Sequence, residues 1–168
     1  MTPSGRSDTS IRHRESLATS DSSAATSASP SPQATAAALA SLVALGEGRR
    51  TTGPSRTLAV LGEMRELGAS SDAEHEAVGR LAVSLGVDQV LVVGAPARPA
   101  YVGARDERLQ AGGAAGEEPV HVSDVDAATA WLSQNVRPGD VVLVKASRGA
   151  RLDQVADALL VTPGSPGS

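Results

Sequence analysis

Residues 89–94 read Gln-Val-Leu-Val-Val-Gly, an almost unbroken apolar run that ends at a glycine. Comparable runs occur at 57–61 (Thr-Leu-Ala-Val-Leu) and 141–144 (Val-Val-Leu-Val), and a shorter segment lies at 120–122. The three long runs do not alternate polar with apolar residues, which is typical of parallel strands covered on both faces. The pattern therefore predicts a parallel sheet with a layer of helices on each side.

Helical periodicity occurs between these strands. The spacing of apolar residues predicts helices over residues 34–45, 72–85, 124–136 and 152–159. Residues 95–118 are ambiguous, because prolines and glycines interrupt them, and a short helix at 100–110 is one alternative. Ser123 is the predicted N-cap of the helix at 124–136, and residues 46–55, which are rich in Gly, Arg and Thr, are predicted to form a loop. Strands that alternate with helices indicate a doubly wound, mostly parallel α/β domain.

The N-terminal segment has a different composition from the rest. Fifteen of the first 35 residues are Ser or Thr, and large apolar side chains are almost absent there. Such a segment cannot bury enough apolar surface to offset the entropy of ordering it. We therefore expect a disordered tail at 1–33, the α/β domain at 34–161, and a second disordered tail at 162–168.

Composition excludes several classes of protein. The chain has no cysteine and a net charge of −4, so disulfides and thiolate metal sites are excluded and a nucleic-acid partner is not expected. No apolar run is long enough to span a membrane, and the N-terminus lacks the apolar core of a secretory signal. We expect a cytoplasmic protein without a nucleic-acid or membrane partner.

Polar residues follow the first and last long strands, where ligands bind in parallel sheets. Gly62 and Glu63 leave the first strand, and Lys145 ends the last one. On spacing alone, the acids after the first strand are more typical of a solvated turn at a helix start than of a ligand site. Lys145 could bind an anion or pair with an acid such as Glu63. On spacing alone, His75 has the character of a surface or capping residue. The sequence contains no P-loop motif for ATP phosphates.

Three segments resemble the C-terminal domain of the Mur ligases. They read Leu-Ala-Val-Leu-Gly-Glu-Met-Arg-Glu-Leu-Gly at 58–68, Glu-His-Glu-Ala-Val-Gly at 74–79 followed by Gly-Val-Asp-Gln-Val-Leu-Val-Val-Gly at 86–94, and Gly-Asp-Val-Val-Leu-Val-Lys-Ala-Ser-Arg at 139–148. The segments occur in the family's order, and the resemblance extends over residues 34–160. It implies a Rossmann-like domain of this family.

The resemblance also implies a function. It is that of an ATP- and Mg²⁺-dependent amide ligase of peptidoglycan synthesis, of the type that joins D-alanyl-D-alanine to UDP-MurNAc-tripeptide. In the family, a central domain provides most of the binding site for ATP and magnesium. A separate chain that carries that domain is therefore a candidate partner. This chain alone is expected to be inactive. The alternative is a non-catalytic module, descended from this domain, that binds a small ligand or a protein.

The resemblance implies a crevice for substrate and nucleotide, with no catalytic residue or metal ligand in this chain. Its first wall is a loop with His75 as a supporting residue; the loop comprises Gly62, Glu63, Met64, Glu66, Leu67 and Gly68. Its opposite wall comprises Lys145, Ser147 and Arg148.

Overall fold

A computed structural model describes residues 32–64, 71–113, 116–146 and 151–161. The predicted tails lie outside these residues, except that residues 32 and 33 are helical and therefore belong to the domain. In the described part of the chain, no helix is both long enough and apolar enough to cross a membrane.

The strands form an all-parallel sheet, which confirms the predicted fold class. Among the described residues it has four strands in the order β3-β2-β1-β4. Their bounds are Thr57–Leu61 for β1, Gln89–Val93 for β2, Val120–Val122 for β3 and Val141–Lys145 for β4. Every residue of β1, β2 and β4 is buried, as their unbroken apolar sequences predicted.

Helices cover both faces of the sheet. Their bounds are Pro32–Arg50 for α1, Ser71–Ser84 for α2, Arg98–Gln110 for α3, Val125–Asn135 for α4 and Asp153–Val161 for α5. A short 3-10 turn at Ala95–Ala97 leads into α3. One apolar core joins the sheet to α1, α2 and α3, and a second joins it to α4 and α5. A helix occurs at each of the five places considered, and its ends lie within two residues of the expected ones except at the end of α1.

The first helix extends beyond its predicted end. The sequence predicted a loop from Gly46, but α1 continues to Arg50. A β-carbon on residue 46 would lie 2.3 Å from Cγ2 of Thr57. The glycine therefore allows close approach between α1 and the start of β1 rather than ending the helix.

The predicted N-cap of the fourth helix is also wrong by one residue. Asp124, not Ser123, caps α4: its Oδ1 accepts a hydrogen bond of 2.8 Å from the amide of Ala127. The hydroxyl of Ser123 donates instead to Oδ2 of Asp124, at 3.2 Å. A carboxylate at this position also interacts favourably with the positive end of the helix dipole, which favours Asp over Ser.

Helices α2 and α3 approach each other unusually closely. A β-carbon on Gly79 would lie 1.9 Å from the carbonyl oxygen of Ala100, and one on Gly103 would lie 2.1 Å from that of Glu76. Both distances are far inside van der Waals contact, so each position requires glycine. This contact sets the distance between the two helices that cover β2.

An ion pair joins β1 to β4 at the amino-terminal edge of the sheet. Nη2 of Arg56 lies 2.7 Å from Oδ2 of Asp140, whose side chain is only 3% exposed. The same guanidinium donates to the carbonyl of Asn135 at 2.6 Å, and the Asp140 carboxylate accepts from the amide of Arg137 at 2.8 Å. One buried carboxylate thus holds the segments that lead into both strands.

The hydrogen bond to Asp140 raises the pKa of Arg56 above its usual value, while burial opposes the shift. A raised pKa means that folding favours the charged guanidinium. The contribution of the charged Arg56 side chain to the free energy of unfolding is therefore present at all pH values below the unfolded pKa and is lost only in strong alkali.

Removal of this carboxylate should destabilise the fold. We expect Asp140→Ala to lower the free energy of unfolding by about 3 kcal/mol, because the guanidinium loses its buried partner. Glu117→Gln is the matched control: Glu117 pairs with the same guanidinium at 3.2 Å but is 46% exposed, so its loss should cost less than about 1 kcal/mol. Urea denaturation measures both, and equal losses would contradict this assignment.

Candidate functional site

The order of the strands creates a crevice between β1 and β4. The chain leaves β1 toward α2 on one face of the sheet and leaves β4 toward α5 on the other. Two neighbouring strands whose connections diverge in this way leave an opening beyond their carboxyl ends, where ligands bind in open α/β sheets. The predicted site residues follow these same two strands.

Gly62 directly connects the two segments that follow β1 and β4, which we call the two exits. Leu61 pairs with Lys145 in the sheet, and the amide of Gly62 then donates to the carbonyl of Lys145 at 3.0 Å. A β-carbon on Gly62 would lie 2.6 Å from Cδ1 of Leu152 and 2.9 Å from Cβ of Ala146. Glycine is therefore needed here because β4 and the start of α5 pack against the backbone of the first loop.

Met64 anchors the far end of the described loop. Its side chain is buried, and its sulfur accepts a hydrogen bond of 3.7 Å from the hydroxyl of Thr35, which lies in the first turn of α1. Its backbone amide donates to Nε2 of His75 at 3.0 Å. The loop is thus tied to both α1 and α2.

His75 lies in the protein interior, in contact with the loop after β1. The residue is fully buried, so the interpretation of a surface residue is wrong. Its Nδ1 lies 2.7 Å from the carbonyl oxygen of Ser71 and 3.2 Å from the hydroxyl of the same residue. The role of supporting residue that the family resemblance implied stays a prediction.

The two charged residues of the described site differ in exposure. Glu63 is half-buried, whereas Lys145 is only 3% exposed. Side chains alternate along a strand, and Val141 and Leu143 belong to the core beneath α1 and α2. Lys145 therefore extends toward that same face of the sheet, where it is almost inaccessible to solvent.

Five predicted site residues stay predictions. Glu66, Leu67, Gly68, Ser147 and Arg148 lie outside the described residues. Conversely, the structure adds Thr35, Ser71 and Leu152 to the surroundings of the crevice. A buried threonine in an alanine-rich helix carries no recognisable motif, so only the tertiary contact with Met64 identifies it.

The described residues do not fit the role of holding ATP and magnesium by themselves. Among them, no group of three or more His, Cys, Asp or Glu side chains could hold a metal ion. The whole sequence also lacks a P-loop. What the crevice offers is a half-buried carboxylate, a buried amine, and backbone held at two points.

Comparison with known families identifies the domain. The family model described as "Mur ligase, glutamate ligase domain" matches residues 22–148, which is more than half of the chain. The chain belongs to the Mur ligase family. Its Mur ligase C-terminal domain therefore has the fold and the order of motifs that the sequence predicted.

Curated relatives and solved structures agree with this family. The UDP-N-acetylmuramoyl-tripeptide–D-alanyl-D-alanine ligase of Mycobacterium tuberculosis is 48% identical over 113 residues, which cover 62% of this chain and 22% of the relative. The ligase of the same name from Mycobacterium leprae is 46% identical over 105 residues, which cover 62% of this chain and 20% of the relative. The MurF ligase of Thermotoga maritima in complex with ADP superimposes with a TM-score of 0.55 at 26% identity, over 79% of this chain and 26% of that one. The chain spans about a fifth of the length of these curated relatives.

Substitution of Gly62 should test the contact between the two exits. We expect Gly62→Ala to lower the free energy of unfolding by roughly 1–3 kcal/mol, because the new methyl group overlaps Leu152. In a Leu152→Ala background the same substitution should cost less, since the overlap with Leu152 is removed and only the contact with Cβ of Ala146 remains. Thermal unfolding measures both.

Gly48→Ala serves as the control for this series. A β-carbon on Gly48 meets nothing within 4 Å, and the residue lies in α1. The control should stabilise the protein by about 0.5–1 kcal/mol. Strictly additive effects of the Gly62 and Leu152 substitutions would contradict the proposed overlap.

Proposed function

We propose that this chain supplies the C-terminal domain of an ATP-dependent ligase that adds D-alanyl-D-alanine to UDP-MurNAc-tripeptide in peptidoglycan synthesis. The 48% identity to the M. tuberculosis ligase of that name carries the proposal. The crevice between β1 and β4 supports it, because the described parts of two segments that resemble the family, at 58–64 and 139–146, contain these two strands. A cytoplasmic location is part of the proposal.

The reaction divides between two parts of such an enzyme. A peptide carboxylate is phosphorylated by ATP, and the amine of the incoming dipeptide then displaces phosphate to form the amide. Phosphoryl transfer depends on positioned phosphates and bound Mg²⁺, and the described residues do not fit that role. We therefore assign the handling of ATP and magnesium to polypeptide outside this domain.

The domain's own contribution is to close over the reactants and position them. Glu63 presents a carboxylate that can accept hydrogen bonds from N–H groups, and Lys145 supplies a positive charge beside the end of β4. The remaining residues assigned to the crevice by family resemblance are Gly62, Met64, Glu66, Leu67, Gly68, Ser147 and Arg148. Correct orientation of two reactants is itself a large part of catalysis, because it removes the entropy cost of their encounter.

A chimaera tests this assignment directly. The matched segment of the M. tuberculosis ligase would be replaced by the corresponding segment of this chain, and amide formation from UDP-MurNAc-tripeptide and D-alanyl-D-alanine measured. We expect ligation, and we expect Glu63→Gln or Lys145→Met in the chimaera to lower kcat/KM by about 10–100-fold, the effect of losing a contact to a charged group.

Glu118→Gln is the matched control for this experiment, because Glu118 is exposed at the amino-terminal end of β3, away from the crevice. It should leave kcat/KM unchanged. A folded but inactive chimaera, or equal effects of the two Glu→Gln substitutions, would contradict the proposed function and favour a non-catalytic binding module.

The isolated chain provides a second test. We expect no ATP hydrolysis by the purified 168-residue polypeptide in the presence of UDP-MurNAc-tripeptide and D-alanyl-D-alanine, because the phosphates and Mg²⁺ would not be held. Phosphate release assays measure this. Turnover that Lys145→Ala abolishes would show that the chain itself contains the ATP site.

A further inference from the structure

The two residues on either side of Glu63 are both fixed in place. The amide of Gly62 donates to the carbonyl of Lys145, and the amide of Met64 donates to Nε2 of His75. Gly62 and Met64 are buried, whereas Glu63 between them is half-buried. The direction of the Glu63 side chain therefore depends on these two backbone hydrogen bonds.

The partners of His75 determine its protonation state. The carbonyl oxygen of Ser71 can only accept a hydrogen bond, so Nδ1, at 2.7 Å from it, must carry a proton. The amide of Met64 can only donate, so Nε2 must be unprotonated. Both contacts are satisfied by the neutral imidazole with its proton on Nδ1, and by no other form of the ring.

We propose that His75 is a positioning residue that fixes the Met64 amide and thereby directs the Glu63 carboxylate into the crevice. The neutral ring bridges two elements. Its Nε2 accepts a hydrogen bond from the loop at Met64, and its Nδ1 donates one to the carbonyl of Ser71 in the first turn of α2. The identity of the group that the Glu63 carboxylate contacts in the crevice rests on the proposed function. The fixed geometry of the loop is independent of that function, because it follows from the contacts of His75.

The burial of His75 gives this bridge its importance. A buried backbone amide that loses its acceptor destabilises the fold, because no water molecule takes the place of that acceptor. If His75 served only to fill space, an apolar residue of similar size would replace it without releasing the Met64 amide. If it positions the loop, any replacement that keeps an acceptor near the Nε2 position should hold the amide.

Nuclear magnetic resonance of the full 168-residue chain distinguishes these roles. The first measurement is the nitrogen spectrum of the His75 ring in the unmodified protein. The second is hydrogen exchange at the Met64 amide, with the Gly62 amide as internal reference because its acceptor is a carbonyl of β4. Exchange at the two amides would be compared among the unmodified chain, His75→Leu, and His75→Gln, whose side chain retains an acceptor.

We expect a protonated Nδ1 and an unprotonated Nε2 in the unmodified protein. Exchange at Met64 should rise about tenfold in His75→Leu relative to Gly62, as the loss of one hydrogen bond predicts, and should return to within about threefold of the original in His75→Gln. His121→Gln is the matched control: His121 contacts the carbonyl of Gly94 at 3.0 Å, away from Met64, and its substitution should leave exchange at Met64 unchanged.

Protonation of Nε2 in the unmodified chain, or unchanged exchange at Met64 in His75→Leu, would overturn the proposal. The ring measurement needs no substitution, so it decides the question even if His75→Leu fails to fold. The experiment contains no substrate, so its failure would leave the proposed ligase function standing. An inactive chimaera would have the opposite meaning.

Discussion

The side-by-side pairing of β1 and β4 is the constraint on which the crevice depends. At the amino-terminal edge, the buried pair of Arg56 and Asp140 holds the segments that lead into these strands. At the other edge, the hydrogen bond from Gly62 to Lys145 continues their pairing one residue beyond β1. The two strands come from distant parts of the chain, so both ends must be fixed before their loops can form one site.

The polar groups beneath the crevice are consistent with a precisely built loop. Thr35 and His75 are fully buried, and each makes a hydrogen bond to Met64. Burial of polar groups is costly unless they are paired, and here the pairing joins α1, α2 and the loop after β1. The same interactions that stabilise this part of the fold therefore also determine where Glu63 lies.

The local sequence predicted secondary structure well where the pattern within a single helix or strand determined its position. The apolar strands and the general positions of four helices followed from periodicity and are confirmed, whereas the segment that forms α3 was ambiguous from its sequence. The end of α1 was predicted wrongly because Gly46 has the local character of a stop, whereas its actual neighbour is Thr57 on another element. Asp124 was missed as the cap because two adjacent residues are both good N-caps.

The sequence by itself determined the class of fold, the family and the identity of the polar residues at the strand exits, because periodicity and motifs are properties of consecutive residues. Tertiary structure alone decided that His75 is buried beneath the loop, that Lys145 is almost inaccessible, and that Gly62 must accommodate Leu152. These facts depend on contacts between segments that are far apart in the chain. No local pattern records such contacts, since the free energy that selects them arises only when the strands and helices pack together.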